Sequence, residues 1–182
     1  RMLADPDRIG RLGTRTPRLA NWANTLRPHR IVMEKVAGIH RDKLLPPFAS
    51  ERFPDWFHRR TGGRVETADG SHPVVLFGTC FVDYNRPQVG HAAVEVLQHN
   101  GCRIACPEVG CCGMPALDAG DVDLARRKAR HNVEALLPWV ERGYPIAVVN
   151  PTCSLMMRTE YPELLADPGE PRLAEAARKV AA

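Results

Sequence analysis

A short apolar run, PVVLFG at residues 73–78, marks the point where the character of the chain changes. The run is uninterrupted by polar residues and rich in β-branched side chains, which is typical of a strand covered on both faces. Apolar residues then recur at positions 89, 92, 93, 96 and 97, and Gly101 follows them. This spacing predicts an amphipathic helix that stops at the glycine.

The pattern of strand and helix repeats twice more. RIAC at 103–106 predicts a second strand, and Asp121 can cap a helix over about 122–140. IAVV at 146–149 predicts a third strand, followed by a helix over about 152–165. This alternation predicts an α/β fold, a small parallel sheet with flanking helices in the order β-α-β-α-β-α.

Residues 1–72 lack the alternation of strand and helix seen later in the chain. They indicate an extended N-terminal helical arm with a linker. Prolines at positions 6, 17, 28, 46, 47 and 54 divide it into short pieces, and only about Arg18–Gly38 sustains a helical pattern. A polar, glycine-containing stretch at 61–72 indicates the linker. We therefore expect an arm and linker at 1–72 and a cysteine-rich domain at 73–182.

Length and composition exclude several classes of protein. The chain has 182 residues, of which 44% are hydrophobic and 25% charged, and these are ordinary globular values. No apolar run approaches the length of a membrane span. Basic residues exceed acidic ones in the first third of the chain, but no nucleic-acid motif accompanies them, so we expect no nucleic-acid partner. The absence of an export signal indicates a reduced, cytoplasmic compartment.

Four of the six cysteines follow the predicted strands. Cys80 comes just after the first strand, Cys111 and Cys112 follow the second, and Cys153 follows the third. Ligands of parallel sheets bind at the carboxyl ends of the strands, so the pattern predicts one shared ligand for the four sulfurs. Helix N-termini close to these positions should lower the thiol pKa values and prepare thiolate ligands.

Four converging thiolates suit either tetrahedral zinc or an iron–sulfur cluster. Structural zinc sites usually take their ligands from two short knuckles. Here 30 residues separate Cys80 from Cys111, and 40 separate Cys112 from Cys153. A cluster accommodates an adjacent pair such as Cys111 and Cys112 more easily than a single ion does, so the spacing favours iron–sulfur. Cys106 is a possible further ligand.

Several stretches carry a family resemblance. They are GTCFVDYN at 78–85, CCG at 111–113 and CSLMMRTEYPELL at 153–165, with GIHR at 38–41 and LPPF at 45–48 in the arm. Together they resemble the cysteine-rich CCG domain family of iron–sulfur oxidoreductase subunits. That family includes subunits of heterodisulfide reductase and of glycolate, lactate and anaerobic glycerol-3-phosphate dehydrogenases, and the likeness is most detailed to the last of these.

The resemblance implies an electron carrier of an oxidoreductase rather than the subunit that oxidises the substrate. It implies a [4Fe–4S] cluster held by Cys80, Cys111, Cys112 and Cys153. Electrons would pass from a flavoprotein dehydrogenase subunit toward quinone or another acceptor, on the inner face of the membrane through partner subunits. The chain would be one repeat of a larger protein that also contains a second CCG repeat and a ferredoxin segment, and the fragment could form a homodimer.

One position departs from the family pattern, and other functions stay open. The family closes its motif with Cys-x-x-Cys, but Met156 stands three residues after Cys153. A non-redox scaffold, with an empty or zinc-filled site and a second repeat as its partner, is the alternative. A thiol–disulfide enzyme acting through Cys111 and Cys112 is disfavoured because the chain has no thioredoxin-like Cys-x-x-Cys.

Overall fold

The structure, a computed structural model, describes residues 4–182 and begins with four helices. These are α1 (Pro6–Gly13), α2 (Pro17–Thr25), α3 (Arg27–Ala37) and α4 (Phe53–Arg60). The expectation that only about 18–38 is helical was therefore wrong for α1 and α4. The prolines stand in the first turn of each helix, where the missing N–H has no intrahelical partner to lose, so they begin helices here.

Three parallel strands form the sheet and confirm the α/β expectation. They are β1 (His72–Phe77), β2 (Cys102–Ala105) and β3 (Ile146–Val148), in the spatial order β2-β1-β3. Val75 of β1 lies opposite Ala105 on one side and Ile146 on the other. All three strands therefore end at the same edge of the sheet.

The remaining helices connect and cover the strands. They are α5 (Cys80–Tyr84), α6 (Pro87–His99), α7 (Met114–Asp118), α8 (Val122–Val140), α9 (Pro151–Leu155), α10 (Tyr161–Leu164) and α11 (Pro171–Ala181), with a π-helical turn at Met156–Glu160 between α9 and α10. The helix expected over about 152–165 thus contains a wider turn. Such turns are frequent at functional sites.

The two faces of the sheet carry separate core layers because side chains alternate along a strand. Val75 and Phe77 of β1 pack into one layer with α7, α8 and the segment 153–180. Val74 and Leu76 pack into the other layer with α4, α5 and α6. Cys111, Cys112 and Cys153 belong to the first layer.

The N-terminal arm contributes to the second of these layers. Phe53 and Phe57 of α4 are almost completely buried against Val74, Leu76 and their neighbours. A segment that was expected to be an arm and linker therefore contributes side chains to the hydrophobic core. The i, i+4 pair Phe53 and Phe57 is too short a pattern to stand out among the prolines.

The two edges of the sheet differ. The segment at 65–67 runs along the outer edge of β2, where Cys106 N donates to Val65 O at 2.7 Å and Thr67 N donates to Ile104 O at 2.9 Å. Among residues 4–182, no strand pairs with the outer edge of β3. Over the same residues, no helix combines the length and the apolar character needed to cross a bilayer.

Candidate functional site

Each of the four cysteines lies just beyond the end of a strand. Cys80 is the first residue of α5, and Thr79 before it caps the helix by accepting from Val82 N at 3.3 Å. Cys111 and Cys112 lie in the loop between β2 and α7. Cys153 lies in α9, whose N-terminus is capped by Asn150, which accepts from Thr152 N at 3.0 Å.

The four thiols form one row at this edge of the sheet. Cys111 acts on the pKa of Cys80, Cys112 acts on that of Cys111, and Cys153 acts on that of Cys112, so each thiol lies within interaction range of the next. The structure thus brings together four sulfurs that come from three separate loops. Cys111, Cys112 and Cys153 are buried, and Cys80 is half-buried. Cys80 is therefore the end of the row closest to solvent.

The row raises thiol pKa values, whereas helix N-termini were expected to lower them. The neighbouring Cys111 thiol, and then burial, raise the pKa of Cys80. The Cys112 thiol raises the pKa of Cys111 to about 12, although the Cys80 thiol opposes this. The Cys111 thiol lowers the pKa of Cys112, but the Cys153 thiol and burial outweigh this effect and raise the pKa to about 12. The expectation was wrong because neighbouring thiols and burial outweigh short helices.

The backbone around Cys111 and Cys112 is fixed by residues that the sequence analysis missed. Asn132 of α8 donates to Cys111 O at 3.1 Å and to the Tyr161 hydroxyl at 2.9 Å. Tyr161 in turn donates to Cys112 O at 2.9 Å. Asn132 and Tyr161 are both completely buried. Their side chains hold two consecutive carbonyls of the cysteine pair in place.

Helix α1 covers the same loop from the other side. Asp7 accepts from Cys111 N at 2.9 Å and from Lys128 Nζ at 2.7 Å, while Asp5 accepts from Lys128 Nζ at 2.8 Å. Gly10 allows close approach, because a Cβ there would lie 2.2 Å from the Tyr84 ring. No sequence signal links Asp7 to positions more than 100 residues away, so these contacts were not predicted.

The other sulfur-containing candidates do not join the row. Cys106 belongs to the opposite core layer, where its thiol donates to Leu76 O at 3.5 Å. Cys102 is half-buried and packs against that same layer. Met156 is completely buried in the first core layer, at the start of the π-helical turn.

The donor set fits an iron–sulfur cluster. Successive sulfurs of the row lie within interaction range, and the backbone N–H groups of Gly113 and Met114 act to lower the pKa values of Cys111 and Cys112. Cysteine thiolates hold such clusters, and hydrogen bonds to the sulfurs tune them. Within the described residues, no group of three or more His, Cys, Asp and Glu side chains is placed to hold a metal ion.

Comparison with known proteins gives relatives for this arrangement. Residues 74–158 match the family described as "Cysteine-rich domain" (CCG). The chain is 31% identical to a subunit of the anaerobic glycerol-3-phosphate dehydrogenase of Escherichia coli (strain K12) over 166 residues, which are 90% of this chain and 41% of that protein. It is 39% identical to lactate utilization protein A of Bacillus thuringiensis (strain Al Hakam) over 109 residues, 59% of this chain and 43% of that protein.

The chain thus spans about two fifths of the length of these curated relatives. No solved structure matches it. The predicted resemblance is confirmed by the family match and by the relatives. Residues 74–158, which include the cysteine pair and nearly all of the three-stranded parallel sheet, match the cysteine-rich CCG domain family.

Proposed function

We propose that the chain holds an iron–sulfur cluster of the [4Fe–4S] type and carries electrons for a dehydrogenase. Cys80, Cys111, Cys112 and Cys153 are the proposed ligands. The observation that carries the proposal is the gathering of four thiols, from the loops after all three strands, at one edge of the sheet. When bound, such a cluster supplies one-electron transfer at a potential that its surroundings set.

The chain's own residues would hold the ligands still. Asn132 and Tyr161 fix the carbonyls of the cysteine pair, and Asp7 fixes the Cys111 N–H. Burial of the pair excludes water and lowers the local dielectric. Met156, a neutral thioether within the core, supplies no thiolate, so the proposed set contains four sulfurs.

The relatives support a dehydrogenase subunit as a partner in this proposal. One belongs to an anaerobic glycerol-3-phosphate dehydrogenase and another is a lactate utilization protein. We propose a flavoprotein dehydrogenase subunit as electron donor and quinone or another acceptor at the inner face of the membrane. Exposed apolar side chains on the arm, such as Leu19 and Trp22, support docking to other subunits.

The organisation in this proposal is one cysteine-rich repeat at 73–182, preceded by the arm at 1–72. A ferredoxin segment and a second repeat of the same polypeptide would complete the electron path. The unpaired outer edge of β3 supports pairing with a second repeat or with another copy of the chain. The same edge favours the second candidate function, a scaffold repeat with an empty or zinc-filled cysteine site.

Anaerobic purification separates the two candidate functions. The electron-transfer proposal predicts brown protein with iron and acid-labile sulfide in equal amounts, and an absorption band that bleaches on reduction with dithionite. Electron paramagnetic resonance of the oxidised and reduced samples then identifies the cluster type. Colourless protein with stoichiometric zinc, or with no metal, contradicts electron transfer and supports the scaffold.

A further inference from the structure

The N-terminal arm has a positively charged surface that lies apart from the cysteine row. It is formed by α2, α3 and the loop at 38–47, and we call it the arm surface. Over residues 14–47 the carboxylates are Glu34 and Asp42, and the cations are Arg15, Arg18, Arg27, Arg30, Lys35, Arg41 and Lys43. Of these cations, only Arg41 joins a carboxylate among the described residues, with Nη2 at 2.6 Å from Glu34 Oε2. The surplus of unpaired cations favours an anionic partner.

Large apolar side chains are exposed on the same three elements. They are Leu19 and Trp22 of α2, Val32 and Val36 of α3, and Leu44 of the loop. Val32 and Val36 stand four residues apart and therefore share one side of α3. Val36 is 81% exposed and Leu44 is 90% exposed. Apolar side chains that gather on a surface in this way mark a site of contact with another molecule.

The loop that carries Leu44 is held at both ends. Before it, Arg30 Nη2 donates to His40 O at 3.1 Å. After it, Asn21 Nδ2 donates to Phe48 O at 2.9 Å, and Phe48 N donates to Asn21 Oδ1 at 2.8 Å. The loop is therefore fixed with Leu44 pointing into solvent. A fixed loop loses little conformational entropy when a partner covers it.

A cavity of about 500 Å³ lies where the three elements meet, and Asn24, Arg30, Lys43 and Leu45 contribute to its wall. Arg30 is only 6% exposed, and the oxygens that it bonds are backbone carbonyls rather than carboxylates. Asp42 also lines the cavity, but its side chain is 83% exposed, so solvent screens its charge. A buried cation without a counter-charge is unfavourable, so the cavity attracts a carboxylate.

We propose that the arm surface docks a segment of a partner subunit that combines carboxylates with apolar side chains. The carboxylates lie beside Lys43 at the cavity, and the apolar side chains cover Leu44 and Val36. A concave cavity with amide groups in its wall suits a peptide segment better than a flat lipid surface. This inference rests on the proposed function only in taking the partner to be another subunit of the dehydrogenase.

Three fluorescent peptides probe the arm surface of the full chain. The first is built from Glu and Leu, the second has Ser in place of Leu, and the third has Lys in place of Glu. Fluorescence anisotropy should give the first peptide a dissociation constant on the order of tenfold below those of the other two, because only it supplies both kinds of contact. Added salt should weaken its binding. Shifts in ¹H–¹⁵N correlation spectra should centre on the amides of residues 41–45.

Two variants of the arm surface, each with a matched control, locate the binding. Lys43→Glu should weaken the Glu and Leu peptide on the order of tenfold, whereas Arg172→Glu, at an exposed cation of α11, should not. Leu44→Ser should weaken it likewise, whereas Val96→Ser, at an exposed position of α6, should not. All four side chains are exposed, so circular dichroism should match the parent. Equal affinities for the three peptides, or equal losses in variants and controls, would overturn the proposal.

Two further measurements separate the alternatives. Sedimentation with phosphatidylglycerol vesicles that depends on Lys43 and Leu44, while the three peptides bind equally, would overturn the proposal in favour of a lipid surface. Iron measured on the same samples separates the arm surface from the proposed cluster. An iron-free chain that prefers the Glu and Leu peptide would contradict the cluster and support the arm surface. An iron-loaded chain without that preference would overturn the arm surface alone.

Discussion

Asp83 is the residue whose burial has the clearest consequence for stability. Burial raises its pKa from 3.8 to about 7, and repulsion from Asp7 and Asp55 adds to this against the opposing effect of Arg52. The native state therefore keeps a proton that the unfolded chain releases above about pH 4. Stability from this group is fully present below pH 4 and is lost as the pH rises through 7.

Replacing Asp83 by asparagine should remove this loss of stability at high pH. We expect Asp83→Asn to unfold with a free energy on the order of 2–4 kcal/mol higher than the parent at pH 8, because a neutral amide has no charge to bury. The difference should shrink toward zero near pH 4. Urea titrations of both proteins at a series of pH values measure it. A difference that does not change with pH would contradict the raised pKa.

Tyr161 tests how strongly the cysteine pair is held. Tyr161→Phe keeps the buried ring but leaves Cys112 O without its donor and Asn132 with one partner fewer. Unsatisfied buried groups each cost about 1–3 kcal/mol, so we expect destabilisation in that range. Denaturant unfolding measures it, and Tyr144→Phe, which removes a bond to partly exposed Glu66, is the comparison. Equal losses would show that the cysteine loop is not specially constrained.

Among the elements, α1 holds its place through a charge cluster that is largely buried. The Lys128 side chain is 12% exposed, and it joins Asp5 and Asp7. Lys128→Met removes the cation that joins the two carboxylates, so α1 should separate from the cysteine loop. We expect the Cys111 amide, which donates to Asp7, to exchange its hydrogen at least tenfold faster.

Lys179→Met is the matched control for that change. Lys179 also pairs with two carboxylates, Glu141 and Glu175, but its side chain is 45% exposed and the pairs are worth little. Its replacement should leave exchange at Cys111 unaltered. Exchange that responds equally to both substitutions, or to neither, would contradict the role assigned to α1.

Elements differ in how far the sequence reveals them. The strands were predicted to within about a residue, since runs such as 73–78 and 103–106 carry a local signal of burial. Strand order then located Cys80 and Cys153 at one edge. Contacts such as Asp7 with Lys128 depend on how α1 docks, and no local pattern encodes them. The raised thiol pKa values likewise come from packing rather than from position along a helix.

For the whole molecule, the arm should be inseparable from the sheet. Phe57 is completely buried, so Phe57→Ala should cost about 3–5 kcal/mol. Removing residues 1–72 would expose Val74, Leu76 and Val94 together. We expect that shortened chain to lack a cooperative thermal transition, as measured by circular dichroism. A fragment of 73–182 as stable as the full chain would show that the arm is only an appendage.

The row of four thiols is the central feature of the molecule, and iron content tests it most directly. Iron per chain is measured after anaerobic purification of the parent and of single serine variants at Cys80, Cys111, Cys112 and Cys153, with Cys106→Ser as the matched control outside the row. We predict that the parent and Cys106→Ser retain iron and that each variant in the row loses most of it. An iron-free parent, or row variants that bind as much iron as Cys106→Ser, would contradict the account.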